Sequence, residues 1–261
     1  MREIARLREH GWDGRYILPH RAFRKLGLTA LDIVAGSALL LGALAAWMML
    51  LPKVAHLWEQ LLAFWIHELN LGWPVYLMDG TVLGHWSVSV PYLPINAGPT
   101  TGGAWLAIAL GTTLVFVLSF KLPKDTRLPL AYLLRALCLI QSTALIYSLG
   151  GRQFPHDPAQ YCSDMLLFGI VFIGLVPVLL ALTFYVFDVS FAKKIALTAL
   201  IMGDLVLFVP LQYLLHAWLL RVSLLFLPVL YFAFGPFLEM IIFIGFYAWG
   251  MSWSSRRRTT G

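Results

Sequence analysis

The chain has 261 residues, of which 60% are hydrophobic and only 12% are charged, and its mean hydropathy is +0.78. Soluble globular proteins have about 25% charged residues, so this chain has too few polar groups to cover a soluble particle of its size. The composition excludes a soluble domain, a disordered chain, a coiled coil and a disulfide-stapled secreted module. It predicts an all-α polytopic membrane protein whose apolar surface faces lipid.

The net charge of +6 does not indicate a nucleic-acid binder, because the basic residues gather at the two ends of the chain and in short loops. Residues 1–28 form a basic N-terminal arm, and residues 254–261 form a tail with three consecutive arginines, Arg256 to Arg258. Such segments are typical of cytoplasmic ends that face anionic lipid headgroups. We therefore expect membrane lipids, and no nucleic acid, among the partners.

Six stretches are long enough to cross a bilayer, which needs roughly 20 apolar residues. In chain order they are 30–51, 102–120, 129–149, 162–187, 195–215 and 223–253. The first transmembrane helix occupies 29–52, an extramembrane segment follows at 53–101, and helices two to six occupy 102–253. The sixth stretch contains Phe234-Gly235-Pro236, which predicts one tilted, kinked helix rather than two spans.

The loop charges predict the orientation. Lys121, Lys124 and Arg127 lie between the second and third spans, and Lys193 and Lys194 lie between the fourth and fifth. Because basic residues stay on the cytoplasmic side, both termini are expected in the cytoplasm and residues 53–101 on the outer side of the cell inner membrane.

The outer segment predicts a docking surface. Residues 53–70 have the periodicity of an amphipathic helix with two tryptophans on its apolar side, which favours a helix lying on the outer membrane surface. Asp-Gly between two β-rich runs predicts the turn of a β-hairpin, because both turn positions need positive φ. The hairpin edge is a site where an extended partner segment can add. The predicted docking residues are Trp58, Trp65, Asp79, Gly80, His85 and Trp86.

Ionisable residues inside the spans are costly and so mark either structural pairs or a path for ions. Matching their depths predicts an Arg135–Asp204 pair and a Gln141–Glu239 pair. We expect these pairs to clamp the bundle together, with a proton or ion path as the alternative. The chain has no HExxH, Walker, GxGxxG or GxSxG sequence, so we expect no metal and no cofactor.

A possible thiol site gathers at the outer face. Cys162 opens the fourth span, His156 lies in the loop before it, and His216 and Arg221 lie where the fifth span joins the sixth. A thiol, a base and a cation at one membrane level are the components of nucleophilic thiol chemistry. The distances between the thiol, the histidines and the arginine do not follow from residue spacing, so simple packing of Cys162 and a loop role for His156 are the alternatives.

The order of these features resembles small multi-spanning membrane proteins of exosortase systems. The resemblance covers roughly residues 30–187 and is carried by Trp58, the Asp79-Gly80 hairpin and Cys162-Ser163. Those systems process and anchor exported proteins, often beside exopolysaccharide synthesis, and include enzymes and non-catalytic accessory proteins.

The resemblance implies the accessory type more than the catalytic type. Catalytic members have an Ala-Cys-Ser-Gly-like motif, then an arginine and then a histidine, whereas this chain reads Tyr-Cys-Ser-Asp and His216 precedes Arg221. We therefore expect an accessory or scaffold subunit of a cell-envelope export, sorting or polysaccharide machinery, whose partner is another membrane or exported protein. The alternatives are an exosortase-like thiol enzyme and a transporter or channel subunit. The sequence does not indicate an oligomeric state.

Overall fold

The structure is a computed structural model. It describes residues 30–82, 86–96, 101–150, 157–184 and 190–253. The basic arm, the basic tail, His85 and His156 lie outside the described residues.

The described chain is a helical bundle with one small sheet. The helices are α1 (Ala30–Glu68), α2 (Gly102–Ser119), α3 (Lys124–Leu149), α4 (Pro158–Thr183), α5 (Phe191–Val222), a 3₁₀ turn (Leu224–Phe226), α6 (Leu227–Ala233) and α7 (Pro236–Met251). The strands are β1 (Tyr76–Val82) and β2 (Trp86–Tyr92). Within the described ranges, six helical segments are long and apolar enough to cross a membrane, the 3₁₀ turn, α6 and α7 together counting as one. The predicted number of helices with the length and composition of a membrane span is confirmed.

The first helix differs from the prediction. α1 is one 39-residue helix that runs through Pro52, and its length is about 58 Å at 1.5 Å per residue. A proline removes one backbone hydrogen bond, but the helix continues because Leu51, Val54 and Trp58 on both sides of it are buried in the core. The prediction of a separate helix lying flat on the membrane surface is therefore wrong.

The centre of the bundle is formed by α1, α4 and α5. The indole Nε1 of Trp58 on α1 donates a hydrogen bond of 2.7 Å to the carbonyl oxygen of Val206 on α5. Between α4 and α5, Gly169 permits close packing, since a Cβ atom there would lie 2.6 Å from Cγ1 of Val209. Small residues at such contacts let helix backbones approach each other.

The pair α2–α3 lies at the side of this centre. The two helices pack on each other, and Nε1 of Trp105 donates to the carbonyl oxygen of Leu145 at 3.2 Å. α3 also packs on the 3₁₀ turn and on α6, where Nε2 of Gln141 donates to the carbonyl oxygen of Leu225 at 2.9 Å.

The β-hairpin has a different register from the predicted one. Its strands pair from Tyr76 opposite Tyr92 to Val82 opposite Trp86, so Asp79 and Gly80 lie inside β1. The predicted Asp-Gly turn is therefore wrong.

Packing explains why glycine stands at position 80. A Cβ atom there would lie 2.8 Å from Cδ2 of Leu167 on α4, so the missing side chain lets β1 lie against the bundle. The neighbouring carboxylate has a cross-strand role, because Oδ1 of Asp79 accepts a hydrogen bond of 2.7 Å from the hydroxyl of Ser89.

The two ends of the bundle differ in chemistry. At the end that carries the hairpin, Nη1 of Arg221 donates to the carbonyl oxygen of Leu71. At the other end, Nζ of Lys193 donates to the carbonyl oxygen of Trp253, and Nζ of Lys194 donates to that of Phe184. We call these the hairpin end and the basic end.

Candidate functional site

The predicted thiol site is not assembled. Cys162 has no exposed surface and lies in the core between α4 and α5. Arg221 is exposed and directs its guanidinium to the segment after α1, with Cζ 5.4 Å from the ring centroid of Trp73. A thiolate at Cys162 would thus be a buried charge without the predicted cation, which is unfavourable. His156 lies outside the described residues.

The predicted base, His216, belongs to a buried polar network instead. Its Nε2 lies 3.0 Å from the carbonyl oxygen of Phe234. Because a carbonyl can only accept, this nitrogen carries the proton, and Nδ1 is then the acceptor for the Tyr161 hydroxyl at 3.4 Å. The tyrosine and histidine rings are nearly parallel, at an angle of 8°. Both nitrogens of His216 are occupied within the protein.

The carbonyl of Phe234 explains why polar groups gather here. α6 ends at Ala233 and α7 begins at Pro236, so this carbonyl lies at a helix break and outside both helices. Nε2 of Gln212 donates to it as well as His216, one turn apart on α5. Non-helical backbone at membrane depth is stable only where the protein supplies hydrogen-bond partners. The network therefore supplies hydrogen-bond donors to the helix break, which lies where Phe234-Gly235-Pro236 predicted a kink.

The break also requires its glycine. A Cβ atom at Gly235 would lie 2.5 Å from the carbonyl oxygen of Tyr231 and 3.0 Å from Cε of Met165. The first of these atoms is backbone and cannot move without deforming α6. A side chain at position 235 would therefore collide with α6 and with α4, and only glycine fits at this break.

The predicted Arg135–Asp204 pair does not form. Arg135 donates from Nε to the hydroxyl of Ser119 at 3.1 Å and from Nη2 to its carbonyl oxygen at 3.3 Å. Its guanidinium also lies 4.0 Å from the ring centroid of Phe120. A cation that binds the last carbonyls of a helix stabilises its C-terminus, so Arg135 caps α2.

The predicted Gln141–Glu239 pair is also wrong. Gln141 bonds to Leu225 at the hairpin end, whereas Glu239 lies in the first turn of α7, beyond the helix break. Glu239 is only 1% exposed. Among the described residues, neither Oε1 of Gln141 nor Oε2 of Glu239 has a hydrogen-bond partner.

Some of the predicted docking residues are buried and others are exposed. Trp58 is fully buried between α1 and α5 and has no surface to offer a partner, so that prediction is wrong. Gly80 is also buried, against α4, whereas Trp65 is 39% exposed and Asp79 is exposed. Trp86 begins β2.

Several grooves open near the hairpin end of the described chain, and two of them border the strands of the hairpin or the start of α4. The first, of about 600 Å³, lies between α1 and the hairpin; Met48, Leu51 and His56 line one side, and Leu77 and Ser87 line the other. We call it the hairpin groove. The second, of about 810 Å³, lies between the start of α4 and α6, and we call it the α4–α6 groove.

The network of Tyr161, Gln212 and His216 was missed by sequence reasoning. A signal existed, because Gln212 and His216 are four residues apart in an apolar span and therefore share one helix face.

Among the described residues, no group of three or more His, Cys, Asp or Glu side chains could hold a metal ion. Comparisons of the chain with protein-family models, with curated proteins and with solved structures gave no match.

The burial of Cys162 predicts its reactivity. In the folded, detergent-solubilised protein carrying Cys138→Ala, we expect a maleimide to leave Cys162 unlabelled and to label it after denaturation, because reagents reach only exposed thiols. Trp65→Cys in a protein without other cysteines is the positive control, since that position is exposed. Rapid labelling of Cys162 before denaturation, measured by mass spectrometry, would contradict this geometry.

Proposed function

We propose that the protein is a non-catalytic accessory subunit of a cell-envelope export, sorting or polysaccharide machinery in the inner membrane. In this proposal it docks an extended segment of an exported or membrane partner on β1 and in the hairpin groove. The observation that carries it is the unequal surroundings of the hairpin, which is packed on the bundle on one side and open on the other.

The packed side makes the hairpin a rigid element. Val90 and Leu93 are buried, and the backbone N–H of Leu93 donates to the hydroxyl of Tyr213 on α5 at 3.0 Å. Gly80 lies against Leu167 on α4. An isolated two-stranded hairpin is marginally stable, and these contacts supply the missing support. A partner then meets a preformed strand and loses less entropy on binding.

The open side offers both backbone and apolar contacts. Leu77 of β1 lies on the open face, where it is exposed and borders the hairpin groove, and its neighbours Tyr76 and Met78, which point to the opposite face, are exposed as well. In the described chain each of the two strands has one edge that no other strand covers. An exposed strand edge with apolar side chains is a template for strand addition.

The orientation is part of this proposal. Lys121, Lys193 and Lys194 lie at the connections of the basic end, which supports a cytoplasmic location for that end. The hairpin end then faces outward, where exported segments emerge.

The two alternative functions have less support. For a thiol enzyme, the nucleophile is buried and its predicted partners Arg221 and His216 bond elsewhere. For a transporter, Arg135 caps α2 rather than meeting Asp204 across the bundle.

A photo-crosslinking experiment tests the docking site. A photoreactive amino acid at Leu77 is expected to give one discrete adduct with a partner in native membranes, because this side chain borders the groove. The matched control is Leu182, an exposed leucine in the last turns of α4 at the basic end. Identical adducts from both positions would contradict the proposal.

The same partner must depend on the hairpin surface. Leu77→Asp with Met78→Asp is expected to lower its co-purification at least about tenfold, since partner docking would bury a carboxylate without a counter-charge. The melting temperature should stay unchanged, because both side chains are exposed. Unchanged co-purification by this double variant would overturn the proposed function.

A further inference from the structure

The α4–α6 groove has a polar part and an apolar part. Its polar side chains, Asp157, Gln160 and Asp164, stand at the start of α4, and its apolar wall includes Phe168 and Phe232. A volume of about 810 Å³ is within the range of about 300–1,000 Å³ that is usual for small-molecule sites. The groove has the size of a ligand site, and its polarity changes along its length.

This change follows the direction in which α4 crosses the bundle. Asp157 caps the first turn of α4 at the hairpin end, and Phe168 lies eleven residues, or about 16 Å, further along the helix. If α4 spans a bilayer, the polar part lies at the membrane–water boundary and the apolar part lies among the acyl chains. That is the order of polarity in an amphiphile inserted from the hairpin end.

The polar part is negatively charged and is held in place. The carboxylate of Asp157 accepts from the backbone N–H of Gln160 at 3.3 Å, and Oδ1 of Asp164 accepts from Nε2 of Gln160 at 2.8 Å. None of the described residues that line the groove is basic. Both carboxylates keep free acceptor positions for a cation.

Aromatic rings complete the chemistry of the site. Tyr161 and Tyr231 both line the groove, with ring centroids 6.3 Å apart and planes at 51°. Tyr161 is held by its hydrogen bond to His216. A lining that combines carboxylates with aromatic rings favours an ammonium group, because both attract positive charge. The same carboxylates repel an anionic headgroup.

We propose that the α4–α6 groove binds a zwitterionic membrane phospholipid through the ammonium of its headgroup. The ammonium binds at the acidic start of α4, which carries Asp157 and Asp164, and an acyl chain follows the wall formed by Phe168 and Phe232. This site is separate from the hairpin groove and does not depend on partner docking there.

Lipid binding to the purified full chain tests this proposal. After delipidation in detergent, binding of phosphatidylethanolamine and of phosphatidylglycerol with identical acyl chains is measured by native mass spectrometry. We expect phosphatidylethanolamine to bind at least about tenfold more tightly, in line with a charge-assisted hydrogen bond to a carboxylate. Equal binding of the two lipids would overturn the proposal.

Charge removal gives a second, independent readout. In Asp157→Asn with Asp164→Asn the asparagines keep the helix cap and the acceptor for Gln160 but lose both charges. We expect this variant to bind the two lipids equally. The control, Asp79→Asn, removes an exposed carboxylate from the hairpin and should retain the preference. A double variant that still prefers phosphatidylethanolamine would also overturn the proposal, and if it does not fold, the comparison of lipids on the unmodified chain still decides.

Discussion

Replacing Trp58 with alanine is expected to lower the free energy of unfolding by about 3–5 kcal/mol, the usual cost of truncating a large aromatic side chain in a core. Trp58 is fully buried and donates to the carbonyl of Val206, so the substitution removes both packing and a hydrogen bond between α1 and α5. The measurement is unfolding in mixed detergent micelles followed by circular dichroism.

Trp65→Ala is the matched control for this prediction. Trp65 lies two turns further along α1 and is 39% exposed, so its truncation should change stability by about 0.5 kcal/mol or less. Trp58→Phe is an intermediate step, because it keeps an aromatic six-membered ring in the core but loses the pyrrole ring together with its N–H donor, at an expected cost of about 1–3 kcal/mol. Equal effects of the two alanine substitutions would show that α1 is not held in the core at Trp58.

Removing both donors to the Phe234 carbonyl is expected to destabilise the protein more than the sum of the single changes. With Gln212→Leu or His216→Leu alone, one donor remains and the cost should be about 1 kcal/mol. With both changes the carbonyl is buried without a partner, and the expected cost is about 3 kcal/mol or more.

A double-mutant cycle measures this coupling directly. It is made in a Tyr161→Phe background, because His216→Leu would otherwise leave the Tyr161 hydroxyl without its acceptor. Thr198→Val, also on α5, is the control substitution. The Thr198 hydroxyl bonds only to a carbonyl of its own helix, so its loss leaves the donors to the Phe234 carbonyl in place. Strict additivity of the two leucine changes would refute a shared role at the helix break.

The spans and the helix break were predictable because they depend on local composition. Hydropathy is a property of the local sequence, so a long apolar run can be recognised without knowing which helices pack beside it. Gly235-Pro236 interrupts a helix because proline has no backbone N–H to donate. The continuity of α1 was not predictable in this way. Pro52 and Lys53 resemble a boundary, but burial of Val54 and Trp58 against other helices decides the outcome.

The predicted ion pairs failed for a related reason. Depth in the membrane follows from residue spacing, but which helices are neighbours depends on packing across the bundle. Arg135 finds Ser119 because α2 and α3 are adjacent, whereas α3 and α5 share no extended contact.

The hairpin shows the same limit at shorter range. Asp79-Gly80 has the local preference of a turn, yet contact with Leu167 places Gly80 within a strand. Tertiary contacts override a local preference of this size.

The uninterrupted α1 has a mechanical consequence. α1 is about 58 Å long, and buried side chains from Leu39 to Ile66 hold it against the bundle along most of its length. The hydrocarbon core of a bilayer is about 30 Å thick, so an upright α1 would extend roughly 28 Å beyond it. The hairpin rests against the second half of α1, so a continuous helix rather than a flexible linker joins it to the part of α1 that is long enough to cross a bilayer.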